Sequence, residues 1–179
     1  MAVHDNNEML ISLVKWRRTI FLALTAACLL TWCLASWAKP NDAVPYPTGY
    51  RHWTHVKSTL VGPKHPNFER EGGFHHTYAN EKALEGYRTG KFPDGSALID
   101  DGLELKETEN GAVIEGLRRR IAVMLKDSKR YAETGGWGYE VFKADSQTER
   151  MGTAEVVAKC FACHGQQKER DSVFSEFRK

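Results

Sequence analysis

The sequence predicts an α+β domain, mainly antiparallel β-sheet with a few short helices, the last of them at the C-terminal end. Three observations lead there. Aromatic and β-branched residues alternate with polar ones at a period of about two. Asp-Gly and Asn-Gly pairs sit between such runs, where hairpins turn. The helical patterns are short and open on an Asn or a Thr, both good caps. With 179 residues and no internal repeat, one domain is expected.

The first 38 residues stand apart. Lys15, Arg17 and Arg18 precede TIFLALTAACLLTWCLASWA, an apolar run that ends in small residues, the pattern of an export signal over residues 1–38. Cleavage after Ala38, with Ser36 three positions before the cut, would leave 141 residues beginning at Lys39. An apolar run of about 19 residues could also remain as an uncleaved membrane anchor. Either way a periplasmic domain is expected. Residues 39–49 read as a linker, because NDAVPYPTGY (41–50) is broken by Pro and Gly, and the folded domain is expected over 50–179.

Within that domain, YRHWTHVKSTLV (50–61) and GFHHTYA (73–79) suit half-buried antiparallel strands. Asn80 caps a helix over EKALEGYR that Gly90 stops, and PDG (93–95) makes a turn. SALIDDGLELKETENGAVIEGLRRRIAVML supplies two or three strand runs, with turn signals at Asp101-Gly102 and Asn110-Gly111. KDSKRYAE predicts another short helix, and WGYEVFK (137–143) a strand. Thr153 then opens a final helix, AEVVAKCFACH, with Ala154 and Val157 on one face.

Charge excludes a nucleic-acid footprint. The whole chain carries +2, and removing the three basic and two acidic residues of the signal leaves 22 basic and 21 acidic side chains. Arg118, Arg119 and Arg120 lie in an alternating stretch and read as a solvated strand face.

Cysteine placement carries the chemistry. Cys28 and Cys33 fall inside the signal, which leaves Cys160 and Cys163 in the motif CFACH, followed at once by His164. A bridge across two intervening residues closes too small a loop to stabilise much, so a structural role is disfavoured. Tetrahedral zinc wants a second ligand pair, which the sequence does not offer, and a redox dithiol stands beside zinc as an alternative. Covalent heme c explains all three residues: Cys160 and Cys163 form thioethers, and His164 is the proximal iron ligand. The tail after His164 has no Met or His to close the sixth position, and Met124 and Met151 read as core or capping residues. An open distal site, suited to a small molecule, is therefore expected.

YRTGKFPDGSALI (87–99), KDSKRYAETGGWGYEVF (126–142), CFACH and DSVFSEF (171–177), in that order and spacing, resemble the cytochrome P-460 family, including cytochrome c′-beta. The likeness spans roughly residues 46–177. It implies a homodimer whose antiparallel β fold encloses one covalently bound heme per chain, with His164 on the iron. In the P-460 proteins the lysine matching Lys91 is linked to the porphyrin, and hydroxylamine is oxidised to nitric oxide or nitrous oxide, with electrons passing to an exported acceptor such as another cytochrome c. The c′-beta proteins lack that link and bind nitric oxide or carbon monoxide under an aromatic cap.

Hydroxylamine oxidation also needs a proton acceptor near the distal face. Glu140 is one candidate, alternating with Gly138 and Phe142 on one side of its strand while Trp137, Tyr139 and Val141 point to the other. His75 is a second. It is adjacent to His76, so at most one of the two faces the pocket. Phe74 and Phe92 are candidates for an aromatic cap. Two readings stand: a hydroxylamine-oxidising enzyme, or a five-coordinate nitric oxide-binding protein.

Overall fold

The computed structural model describes residues 43–178, so the expected export segment lies outside the described residues. Five strands form one antiparallel sheet in the order β1-β2-β3-β4-β5: β1 (Thr54–Val61), β2 (Gly73–Ala79), β3 (Ala97–Glu107), β4 (Val113–Lys126) and β5 (Trp137–Lys143). Helix α1 (Phe68–Glu71) joins β1 to β2, α2 (Glu81–Thr89) joins β2 to β3, and α3 (Ala154–His164) follows β5. The α+β expectation is met. Among the described residues no helix is long and apolar enough to cross a membrane.

Both sheet faces carry an apolar cluster. On one, Val56, Ala79, Leu98, Met124, Trp137 and Tyr139 pack under α2, Phe92 and Val173, with Val157, Cys160 and Phe161 of α3 against them. On the other, Ile99, Ile121, Val123 and Phe142 pack under Val44, Tyr50 and Tyr131. Residues 43–49, read as linker, hold no helix or strand, yet Val44 is 1% exposed and the Tyr46 ring meets Phe142 edge-on at 5.1 Å. The packed domain thus begins before Tyr50, because a sheet with two apolar faces needs a cover on each.

Local chemistry explains the elements that match expectation. The Asn80 carboxamide oxygen accepts the N–H of Ala83 at 3.0 Å and also that of Ala97 at 3.0 Å, so one cap joins α2 to β3. Gly90, at φ 78°, returns its N–H to the Gly86 carbonyl at 2.8 Å and ends the helix. Gly86 is needed for another reason: a Cβ there would stand 2.2 Å from the Phe92 ring.

Three expectations change. Asp101-Gly102 is not a turn but lies inside β3, where the register shifts and Arg119 bulges out of the ladder; the hairpin turns at Asn110-Gly111 instead. KDSKRYAE is not a helix. Lys126 ends β4, Asp127 caps a single turn through the N–H groups of Lys129 and Arg130, and Gly135 and Gly136, at φ 68° and 82°, halt it after the 3-10 turn Ala132–Thr134. Nor do the three arginines form a solvated face. Arg118 pairs with the buried Asp101, Arg119 donates to the carbonyls of Gly72, Glu69 and Arg70, and Arg120 pairs with Glu71.

Phe142 is fully buried at the centre of the second cluster. Phe142→Ala should cost about 3–5 kcal/mol, read as a lower urea midpoint at unchanged slope.

Candidate heme site

The site is built on α3. The Thr153 hydroxyl accepts the Val156 N–H and starts the helix, and Lys159 pairs with Glu155 one turn on at 2.7 Å. Val157, Cys160, Phe161 and His164 then recur at the spacing of one helix face, and Val157, Cys160 and Phe161 pack against the first cluster. Both thiols are free, Cys160 half-buried and Cys163 exposed. Burial pushes the Cys160 thiol up from its ordinary value.

The His164 ring is fixed from three sides. Its Nδ1 lies 2.8 Å from the Ser172 carbonyl, Tyr139 of β5 lies 5.4 Å away between centroids, and Phe174 meets it edge-on at 5.1 Å. The carbonyl assigns the ring proton to Nδ1, which leaves Nε2 as the nitrogen free to coordinate. Burial lowers the imidazole's pKa and so keeps it neutral, as a metal ligand must be; the Ser172 carbonyl and the Asp100 charge push weakly the other way. That carbonyl is aimed by an unusual backbone, since Asp171 and Ser172 take φ of 51° and 64° in succession.

Cross-strand register decides what shares this face of the sheet. Trp137, Tyr139 and Val141 of β5 stand beside Lys126, Met124 and Ala122 of β4, then Leu98 and Asp100 of β3, then Ala79 and Thr77 of β2, with His75 one step further along beside Gly102 and Arg120. Ala122, Asp100 and Thr77 cross the middle of the face and are partly exposed. At the far end a polar cluster gathers. His75 Nδ1 meets the Asp100 carboxylate at 3.0 Å, its Nε2 meets the Glu71 carbonyl at 2.7 Å, and Arg120 reaches both Glu71 and Asp100. The bond to Asp100 raises the His75 pKa against the opposing effect of burial. Burial alone would raise Glu71, but Arg120 and Arg70 outweigh it and hold that carboxyl below its ordinary value.

The candidates named from sequence divide between the two faces. His75 lies on the α3 side and His76 on the opposite one, where its Nε2 is 2.7 Å from Glu115. Glu140 also lies on the opposite side. Its carboxylate is held by Arg150 and by the Val141 N–H, and Arg150 in turn binds the Val44 carbonyl, so Glu140 fastens the N-terminal cover and is not brought to His164. Phe74 shares that far face, stacked on His76, whereas Phe92 is core, edge-on to Tyr87 and Trp137. Met124 is core on the α3 side, and Met151 is exposed. Lys91 is exposed on a turn pinned by Thr89, and the next residue, Phe92, donates its N–H to Asp171 at 2.9 Å. The Lys91 turn and the His164 carbonyl partner therefore meet at adjacent residues, 171 and 172. Asp100, Arg120 and Asp171, which the sequence does not single out as site residues, also stand beside these groups. The Asp100-Asp101 pair was a partial signal, since adjacent strand residues face opposite ways.

Among the described residues no three His, Cys, Asp or Glu side chains converge as a metal site. The family pattern of cytochrome P-460 matches residues 47–175. The chain belongs to the cytochrome P-460 family. No individual curated protein matches it. Membership implies a heme cofactor, and the residues fit one: two unbridged thiols and an imidazole along one side of α3, a neutral Nε2, and a buried Tyr139 hydroxyl without a hydrogen-bond partner among the described residues. Cys160 and Cys163 would hold the vinyl groups and His164 the iron.

His75 has a raised pKa in the folded state, so its bond to Asp100 stabilises the fold fully below the ordinary histidine value of about 6.5 and ceases to do so as pH rises through the raised value. Asp100→Asn should therefore move the His75 titration, followed by NMR, to lower pH and remove that stretch of the stability-pH curve.

Proposed function

We propose that this cytochrome P-460 family protein is an exported mono-heme c-type cytochrome that oxidises hydroxylamine to nitric oxide or nitrous oxide, with Lys91 as a second covalent attachment to the porphyrin. The observation that carries the reading is the hydrogen-bonded path from the Lys91 turn through Phe92 and Asp171 to Ser172 and His164. It brings the TGKF stretch and the CFACH helix, far apart in sequence, to one place.

The heme would supply a vacant iron position and an electron sink. Forming nitric oxide from hydroxylamine releases three protons and three electrons, and coupling two hydroxylamines into nitrous oxide and water releases four of each. The electrons would go to an exported acceptor such as another cytochrome c. The protons need bases. Asp100 and His75 support that role: they share the α3 side of the sheet, are hydrogen-bonded to each other, and Asp100 lies within electrostatic reach of His164. Arg120, paired with both Glu71 and Asp100, holds the carboxylates in place. His164, neutral and oriented by Ser172, would hold the iron.

Exposure of the Lys91 side chain favours a second reading, a five-coordinate nitric oxide-binding cytochrome c′-beta without turnover. A homodimer and a periplasmic location belong to both readings.

Peptide mapping separates them. The enzyme reading expects heme on two peptides, one with Lys91 and one with Cys160 and Cys163, and a plain c-type spectrum after Lys91→Ala. A free, unmodified Lys91 peptide in the parent protein removes hydroxylamine oxidation by this route. If Asp100 accepts substrate protons, Asp100→Asn should lower kcat about 100-fold or more while the heme content stays unchanged; an unaltered kcat assigns proton transfer elsewhere.

A further inference from the structure

Asp171, just after the 3-10 turn Gly165–Arg170, is bonded through every polar group it has. Its Oδ1 accepts the Lys126 ammonium at 2.7 Å, and its Oδ2 accepts the Phe92 N–H at 2.9 Å. Its carbonyl accepts the Trp137 indole N–H at 2.8 Å, and its own N–H donates to Lys168 at 3.2 Å. Lys126 also donates to the Gly135 carbonyl at 3.2 Å and stands 4.9 Å over the Trp137 ring. The side chains of the pair are 10% and 15% exposed, so water screens the interaction little. Asp171 and Ser172 are both left-handed, a conformation non-glycine residues keep only where the surroundings over-determine it. Here the surroundings are this set of bonds, together with Ser172 N–H to the Gln167 carbonyl at 2.8 Å.

We propose that Asp171, clamped by Lys126, is a positioning residue that acts on the heme through two neighbours. It aims the Ser172 carbonyl at His164 Nδ1, and it holds the turn carrying Lys91 in register with that histidine. The inference rests on the reading that His164 is the iron ligand. A firm Nδ1–H to carbonyl bond makes the imidazole a stronger donor, which strengthens the iron-histidine bond and stabilises the oxidised iron. Loosening Asp171 lets the Ser172 carbonyl drift, so both properties weaken together although no ligand has been touched.

The test uses the full chain matured with heme, as parent, Asp171→Asn, Lys126→Met and Lys126→Arg. Resonance Raman of the ferrous proteins reads the iron-histidine stretch, and redox titration reads the potential. Asp171→Asn and Lys126→Met are expected to lower the stretching frequency and raise the potential, with Lys126→Arg restoring both towards the parent. Where the parent carries heme on its Lys91 peptide, the linked share should fall roughly tenfold in the first two variants. If Asp171→Asn fails to fold, Lys126→Met decides, since it leaves the Phe92 and Trp137 bonds to Asp171 in place. Folded variants with the parent's frequency and potential overturn the proposal. Failure of the underlying reading looks different: His164→Gly would then leave the parent's stretch unchanged.

Discussion

Strand β5 is buried on both faces, and the site follows from that constraint. Trp137 and Phe142 are fully shielded, and the residues between them are buried as well, none above 9% exposure. A strand in this position cannot slip by one residue without sending an indole into the space of a glycine. Gly138 shows how closely the fit is drawn: a Cβ there would lie 2.4 Å from the Tyr131 ring and 2.7 Å from Val44. The locked alternation commits Trp137, Tyr139 and Val141 to α3, and Glu140 and Phe142 to the N-terminal cover.

The same two-residue period sorts the polar pairs. Asp100 and Asp101 are neighbours with unrelated duties: Asp100 joins His75 and Arg120 on the α3 side, while Asp101, 2% exposed, takes the Tyr50 hydroxyl at 2.7 Å and the Arg118 guanidinium at 2.6 Å on the other. Burial pushes the Asp101 carboxyl up and the Tyr50 hydroxyl up with it, as expected of a structural network closed to water. The Asp100–His75 pair on the α3 face is less closed, with side chains 34% and 14% exposed.

The Lys126–Asp171 pair links this frame to Ser172 and, through its carbonyl, to His164. Removing one partner from such a pair strands the other, which costs more than the pair contributes, so the two behave as a unit. Through it the ends of β4 and β5, the Phe92 turn and the segment after α3 become one body.

Sequence by itself determined the class of fold, strand β2 and the two capped helices, because caps and period-two runs are local and read without knowing what packs where. The resemblance carried by the TGKF and WGYE stretches pointed correctly to the family. Tertiary structure decided which side of each strand looks at α3, and so exchanged Glu140 for Asp100 as the carboxylate on the side of His164. It also brought Asp171 against Phe92 and Lys126. Those outcomes depend on which of two apolar faces receives α3 and which receives residues 43–53, and alternation marks two faces without saying which partner covers either one.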